Sequence, residues 1–131
     1  MKAHYYKGYI KMRELGLNSK DLGRIKTKGS HEDPLHLVLK ALIGKILDDK
    51  DRNWSTEVPF DGQDIDGSID FRVHDVRDFD EEKGYEVQKK ITEEWKKQVL
   101  DYPIDTICIS QEEYESLTVR EIYEKLKKEI I

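Results

Sequence analysis

Asp66-Gly-Ser-Ile-Asp70-Phe-Arg-Val-His74, a polar turn, then Gly84-Tyr-Glu86-Val-Gln88-Lys-Lys90: how this stretch is read decides the fold. It predicts two adjacent antiparallel strands. Side chains alternate along a strand. Ile69, Phe71 and Val73 then share one face, and Ser68, Asp70 and Arg72 the other. In the second strand Tyr85 and Val87 point one way, and Glu86, Gln88 and Lys90 the other. If the two polar faces coincide, Asp70 and Glu86 stand side by side. Two carboxylates on rigid strands, near amide and ammonium groups, suit a hard divalent cation with oxygen ligands. The plainer reading is a hairpin whose acids face water, in a chain already rich in acid.

The link Asp75–Lys83 is too long for a two-residue turn, which predicts strand extension and a mobile tip. Upstream, Trp54–Phe60 reads as a strand closed by Pro59 and the Asp61-Gly62 turn. Before it, Leu35, Val38, Leu39, Leu42, Ile43, Ile46 and Leu47 recur at helical intervals over 34–48. Asp33 and Pro34 fit its N-cap and first position. His31 and Glu32 stand at that entrance. Downstream, 91–102 reads as a helix with Ile91, Trp95, Val99 and Tyr102 on one face. Gln98 falls inside that face, where an amide needs a partner. Pro103 ends it. The apolar run 104–109 predicts a strand covered on both sides. Thr118-Val-Arg-Glu121 has capping-box spacing and opens a last helix. With a helix over 3–15, stopped at Gly16, the predicted order is α-α-β-β-β-α-β-α.

This chain of 131 residues suits one domain, read as a basic arm over 1–29, a core over 30–110 and a closing helix over 111–131. Hydrophobic residues are 37% against 39% charged, yet the apolar residues are grouped periodically, so a folded domain is expected. No apolar stretch is long enough to span a bilayer, and Met-Lys-Ala-His-Tyr-Tyr lacks a signal-peptide segment. A single cysteine, Cys108, excludes an internal disulfide and any cysteine-built metal cluster. A cytoplasmic location is therefore expected. Abundant Lys, Glu and Ile with few Cys and Met fit a hot habitat. The net charge of −5 argues against simple electrostatic attraction to nucleic acid, but residues 1–28 carry eight Lys or Arg against two acids. Lys7, Lys11, Arg13, Arg24, Lys26 and Lys28 on such an arm can track phosphates. Tyr5, Tyr6 and Tyr9 among them can stack bases or, the plainer reading, pack on a core or across a two-fold axis in a homodimer.

The element order, with an acid in the second strand of a meander and an acid-x-polar triplet in the third, resembles the PD-(D/E)XK nuclease superfamily. That is the restriction-endonuclease-like α/β fold of Holliday-junction resolvases and RecB-like nucleases. The resemblance implies an α-β-β-β-α-β core with a mixed four-stranded sheet flanked by helices. It implies a deoxyribonuclease in which Asp70 and Glu86 bind Mg²⁺ or Mn²⁺. Glu32, or His31, on the first core helix would complete the metal site. Gln98-Val-Leu-Asp-Tyr102 matches the Gln-x-x-x-Tyr of RecB-like members, which implies that Gln98 and Tyr102 contact the DNA backbone or brace the site. Gln88 departs from the pattern, standing where a lysine is usual. An amide cannot carry positive charge. Gln88 would orient water, and Lys90 or Lys89 would steady the phosphate. A catalytically inactive subunit on the same fold, binding nucleic acid or a protein, is the alternative.

Other chemistries find little support. His31 and His36 lack the spacing of a helical zinc pair, and no Glu stands between them in the metalloprotease pattern. No glycine-rich phosphate loop follows a strand, so no nucleotide cofactor is expected. Cys108 lies mid-strand and reads as a buried, inert thiol. No serine sits in a nucleophile elbow.

Overall fold

The computed structural model describes residues 33–63 and 69–130, with side chains for 33–60 and 72–130. The helix expected over 3–15, His31, Glu32 and the basic residues of the arm lie outside these. The described elements are α1 (Pro34–Asp49), β1 (Trp54–Gln63), β2 (Ile69–Asp78), β3 (Lys83–Gln88), α2 (Glu93–Leu100), β4 (Asp105–Ser110) and α3 (Val119–Glu129).

The four strands lie in the order β1-β2-β3-β4. β1/β2 and β2/β3 are antiparallel; β3/β4 is parallel, because a helix intervenes and returns the chain. This is an α/β protein with a mixed sheet flanked by helices.

α1 begins as its sequence requires: Asp33 Oδ1 accepts from the Leu35 amide at 2.9 Å, and Pro34 holds the first position. Its middle is buried all round, from His36 to Gly44. Leu37, Leu39, Leu42, Ile43 and Leu47 pack with Trp54, Val76, Tyr85, Val87 and Ile109 of the sheet and with Ile122 and Leu126 of α3. Truncating one such leucine to alanine costs about 2–5 kcal/mol. α3 carries the full capping box, Thr118 and Glu121 each serving the other's backbone amide. α2 packs on β4 and is N-capped by Thr92.

One sequence expectation fails at the sheet edge. β1 does not end at Pro59 or at Asp61-Gly62. It continues to Gln63, with Pro59 across from Val73 and Gly62 across from Asp70. Among the described residues β1 is an edge strand, and an edge tolerates a proline that donates no ladder bond. Among the described residues β4 is the other edge; α2 packs on one of its faces and the core on the other, and its apolar run is half-buried through Ile107 and Cys108 and buried at Ile109 and Ser110. The extension of β2 beyond Asp75 is present and runs to Asp78. The following turn is tied down by Asp78 Oδ1, which accepts from the amides of Asp80 and Glu81.

Candidate functional site

The decisive local event is a fork between β2 and β3. Their ladder pairs Val76 with Tyr85 and stops. One further step would put Asp75 across from Glu86. There the Asp75 carboxylate replaces the backbone: its Oδ2 accepts from the Val87 amide at 2.7 Å. Its Oδ1 lies 3.2 Å from His36 Nε2 on α1. The β1/β2 ladder skips the same level, passing from Thr56↔Val76 to Val58↔His74. The omitted residue, Glu57, has φ 52, a left-handed backbone that non-glycine residues adopt only when their surroundings force it.

The faces exchange across this interruption. Trp54 and Val76 lie under α1 in the core. Beyond it Phe60, Arg72 and His74 turn to the α2 side, where all three meet Tyr102. β3 alternates regularly. Tyr85 and Val87 enter the core, and Glu86 faces the α2 side with Cys108, its partner across β4.

That α2-side face is built from the sheet outward. His74 is fully buried, stacked on Phe60 at 4.1 Å. Arg77 donates to its Nδ1 at 2.9 Å, so Nε2 carries the proton and donates to Thr106 Oγ1, also at 2.9 Å. Thr106 in turn donates to the Ile104 carbonyl. Burial, helped by the Arg77 charge and opposed by Asp75, pulls the His74 pKa down to about 4. The imidazole is neutral at ordinary pH. Gly84 makes room for it: a Cβ there would stand 2.3 Å from the ring.

Next to this ring stands a polar group. Arg72 donates to Tyr102 Oη at 3.2 Å, and its guanidinium lies over the Tyr102 ring at 5.4 Å. With the Gln98 amide turned oxygen-first, which satisfies both groups, Gln98 accepts from Nη1 at 2.7 Å and from Nη2. Glu86, buried, has the Gln88 amide 3.4 Å from Oε2. Burial first, then the negative field of Glu86, raises the pKa of Tyr102. The same two causes push the Cys108 thiol up to about 11, so it stays a thiol and a poor nucleophile.

On the α1 side, Lys40 is fully buried, with Glu57 Oε1 2.6 Å away. It stands one helical turn after His36. A buried ammonium and imidazole thus face the two residues at which the strands misalign.

The predicted site residues distribute as follows. Glu86 and Gln88 come together, as do Gln98 and Tyr102, on one face. Gln98 finds the partner its setting demanded, in Arg72. Asp70 lies in β2 across from Gly62, five residues before Asp75, about 16 Å of strand at about 3.3 Å per residue. The register differs from the expected pairing: continued one step past Val76↔Tyr85, it would bring Asp75 and not Asp70 to the level of Glu86, because β2 extends to Asp78 before turning. The Asp70 side chain lies outside those described. Lys89 and Lys90 are exposed and follow the end of β3, so Lys90 does not continue the face of Gln88. Asp75, His36 and Arg72 were missed as site residues. Their signal was a break in pattern: apolar β2 positions step by two to Val73, then by three to Val76.

Among the described residues no three His, Cys, Asp or Glu side chains converge as a metal site. The donors are right in kind. Mg²⁺ keeps several waters and takes one or two carboxylates plus substrate phosphates, which Glu86 with one partner acid could supply. Among the described residues no helix is long and apolar enough to cross a membrane. No protein-family model, no curated protein and no solved structure matches this chain.

Proposed function

We propose that this chain is a metal-dependent nuclease of the restriction-endonuclease-like fold, hydrolysing phosphodiester bonds of DNA. One observation carries the reading. Where β2 and β3 part, each strand offers an acid, Asp75 and Glu86, and beside Glu86 lie an amide, a guanidinium and a phenol. Adjacent strands that stop pairing expose backbone and side chains to a ligand while the rest of the sheet stays rigid. The α-β-β-β-α-β order with an antiparallel meander and a parallel fourth strand supports the same reading.

Glu86, with Asp70 as the second carboxylate, would hold Mg²⁺ or Mn²⁺; Asp75 would join them only by releasing His36 and the Val87 amide. The ion supplies a more acidic bound water and neutralises charge on the scissile phosphate. Gln88 is placed beside Glu86 Oε2 and offers its amide to orient water or a phosphate oxygen. Tyr102 stays protonated and Cys108 does not attack, which leaves water as the nucleophile.

A second reading has its own support. Gln88 is neutral, and the described acids do not form a three-ligand cage. An inactive nuclease-fold subunit that binds nucleic acid or a protein would look the same. Incubating plasmid, linear duplex, branched DNA and RNA with Mg²⁺ or Mn²⁺ separates the two. The nuclease reading expects cutting of at least one DNA form. Cutting should fall at least about a hundredfold in Glu86→Gln. Parallel Asp70→Ala and Asp75→Asn variants identify the second acid. Cutting that persists in Glu86→Gln refutes the site; no cutting of any form leaves the inactive subunit.

A further inference from the structure

Two ladders miss the same residue. β1/β2 passes from Thr56↔Val76 to Val58↔His74, and β2/β3 ends at Val76↔Tyr85. Asp75 lies at both interruptions. Continued in register, β2/β3 would bring His74 across from Val87, and the Val87 amide would bond to backbone. It donates to Asp75 Oδ2 instead, at 2.7 Å, a length that suits an ionised acceptor. Asp75 is 1% exposed, and its Oδ1 is 3.2 Å from His36 Nε2. His36 stands in the first turn of α1, a helix packed into the core. The carboxylate therefore ties a rigid helix to the backbone of β3.

Two consequences reach the face that carries Glu86. Val87 is held from three directions: its side chain enters the core, β4 pairs with it at Ile109, and Asp75 holds its amide. Glu86 and Gln88 are its chain neighbours and meet on the opposite face, so the placement of Val87 sets theirs. The interruption also turns β2 over. Unbroken alternation would put Arg72, His74 and Val76 on one face. Instead Val76 enters the core, while His74 and Arg72 meet Tyr102 on the α2 side. A site keeps its geometry only when residues behind it fix the groups in front.

We propose that Asp75 is a positioning residue of the Glu86 site, which sets Glu86 and Gln88 through the Val87 amide, is braced from α1 by His36, and stays on that amide when metal binds. The proposal rests on the nuclease reading above and gives Asp75 a role in it other than metal ligand.

The test uses the full chain, isotope-labelled for amide NMR. Hydrogen exchange and amide shifts are read with and without saturating Mg²⁺, beside cleavage of a labelled DNA oligonucleotide in Mn²⁺. In the wild type Mg²⁺ should shift the Glu86 and Gln88 amides and leave the Val87 exchange rate within about twofold. A carboxylate that turned to the metal would release this amide, so a larger rise overturns the proposal. Asp75→Asn keeps an oxygen for the Val87 amide and should cut within several-fold of wild type, at an unchanged half-saturating Mn²⁺ concentration. Asp75→Ala should expose the Val87 amide to exchange and lower cutting about ten- to a hundredfold, through kcat more than KM. Across the variants, cutting should follow Val87 protection. If Asp75→Ala does not fold, wild-type exchange and Asp75→Asn decide. Cutting lost in Asp75→Asn with Val87 still protected, or a raised Mn²⁺ requirement there, makes Asp75 a ligand. Wild-type cutting in a folded Asp75→Ala makes it part of the fold alone. Either result overturns the assignment and leaves the nuclease reading standing. If Mg²⁺ shifts no amide and the wild type cuts no better than Glu86→Gln, the nuclease reading fails, and the role of Asp75 fails with it.

Discussion

Gly84→Ala probes the packing on which the α2-side face depends. The added Cβ would stand 2.3–2.4 Å from Nε2, Cδ2 and Cε1 of the His74 ring, closer than real carbon contacts allow. The ring cannot yield along its stack, because Phe60 lies 4.1 Å away. It must tilt and surrender its bonds to Thr106 and Arg77. Overpacking of this kind costs about 1–3 kcal/mol, and each lost hydrogen bond about 1 kcal/mol. The sum is about 3–5 kcal/mol, which for a domain of this size lowers the melting temperature by about 10–20 °C. The control is the same substitution in a His74→Ala background. With the ring gone the methyl fills space, and Gly→Ala should be neutral or stabilising by about 0.5 kcal/mol. Urea unfolding of the four proteins of this cycle should give a coupling of about 4 kcal/mol. Equal costs of Gly84→Ala in both backgrounds would refute the packing of the imidazole over β3, and with it the placement of Tyr102 and Arg72.

The remaining expectations concern charge. His74 is held neutral to about pH 4, against 6.5 for a free imidazole, so the unfolded chain takes up this proton first. Its contribution is intact above about pH 6.5, shrinks as pH falls toward 4, and levels off below; the whole loss is about 3 kcal/mol at most. Stability curves from pH 7 to 4 should be less steep for His74→Gln, and an unchanged slope would contradict a buried neutral ring. Removing the acid from the Lys40–Glu57 pair should hurt more than removing the base. Glu57→Gln takes a carboxylate from the fully buried Lys40 and should cost about 3 kcal/mol, whereas Lys40→Met should cost about 1 kcal/mol. Denaturant midpoints for the two variants read this asymmetry directly. Mn²⁺ at about a hundred times its dissociation constant should stabilise the protein by about 2.7 kcal/mol. A melt that does not move with Mn²⁺ counts against metal binding.

The elements that read clearly in the sequence are those with long periodic patterns and explicit caps. Asp33-Pro34 opens α1, and Thr118 with Glu121 opens α3, because local chemistry decides both. Strand ends read poorly. Pro59 stops a central strand but not an edge strand, and edge position is a tertiary fact. Glu86 beside Gln88 follows from spacing alone, since residues two apart on a strand share a face, whereas the helix expected over 91–102 covers only Glu93–Leu100, and Gln98 and Tyr102 meet at Arg72. The partner acid did not follow. Register between strands depends on how long the hairpin arms are, and β2 runs to Asp78 before turning. Asp75 escaped because alternation fails at the residue that matters: its carboxylate replaces a ladder bond, and Glu57 opposite turns left-handed. Arg72 read as one more charge on a wet face. Only the fold brings Gln98 and Tyr102, 26 and 30 residues away, onto its guanidinium.

In the function proposed here, Glu86 marks a metal-dependent phosphodiester site. Its most direct test is a side-by-side cleavage rate for wild-type and Glu86→Gln protein, purified identically, on the same labelled DNA with and without Mn²⁺. Wild-type cutting should require Mn²⁺ and fall at least about a hundredfold in the variant. Equal rates for the two proteins, or cutting that ignores the metal, would contradict it.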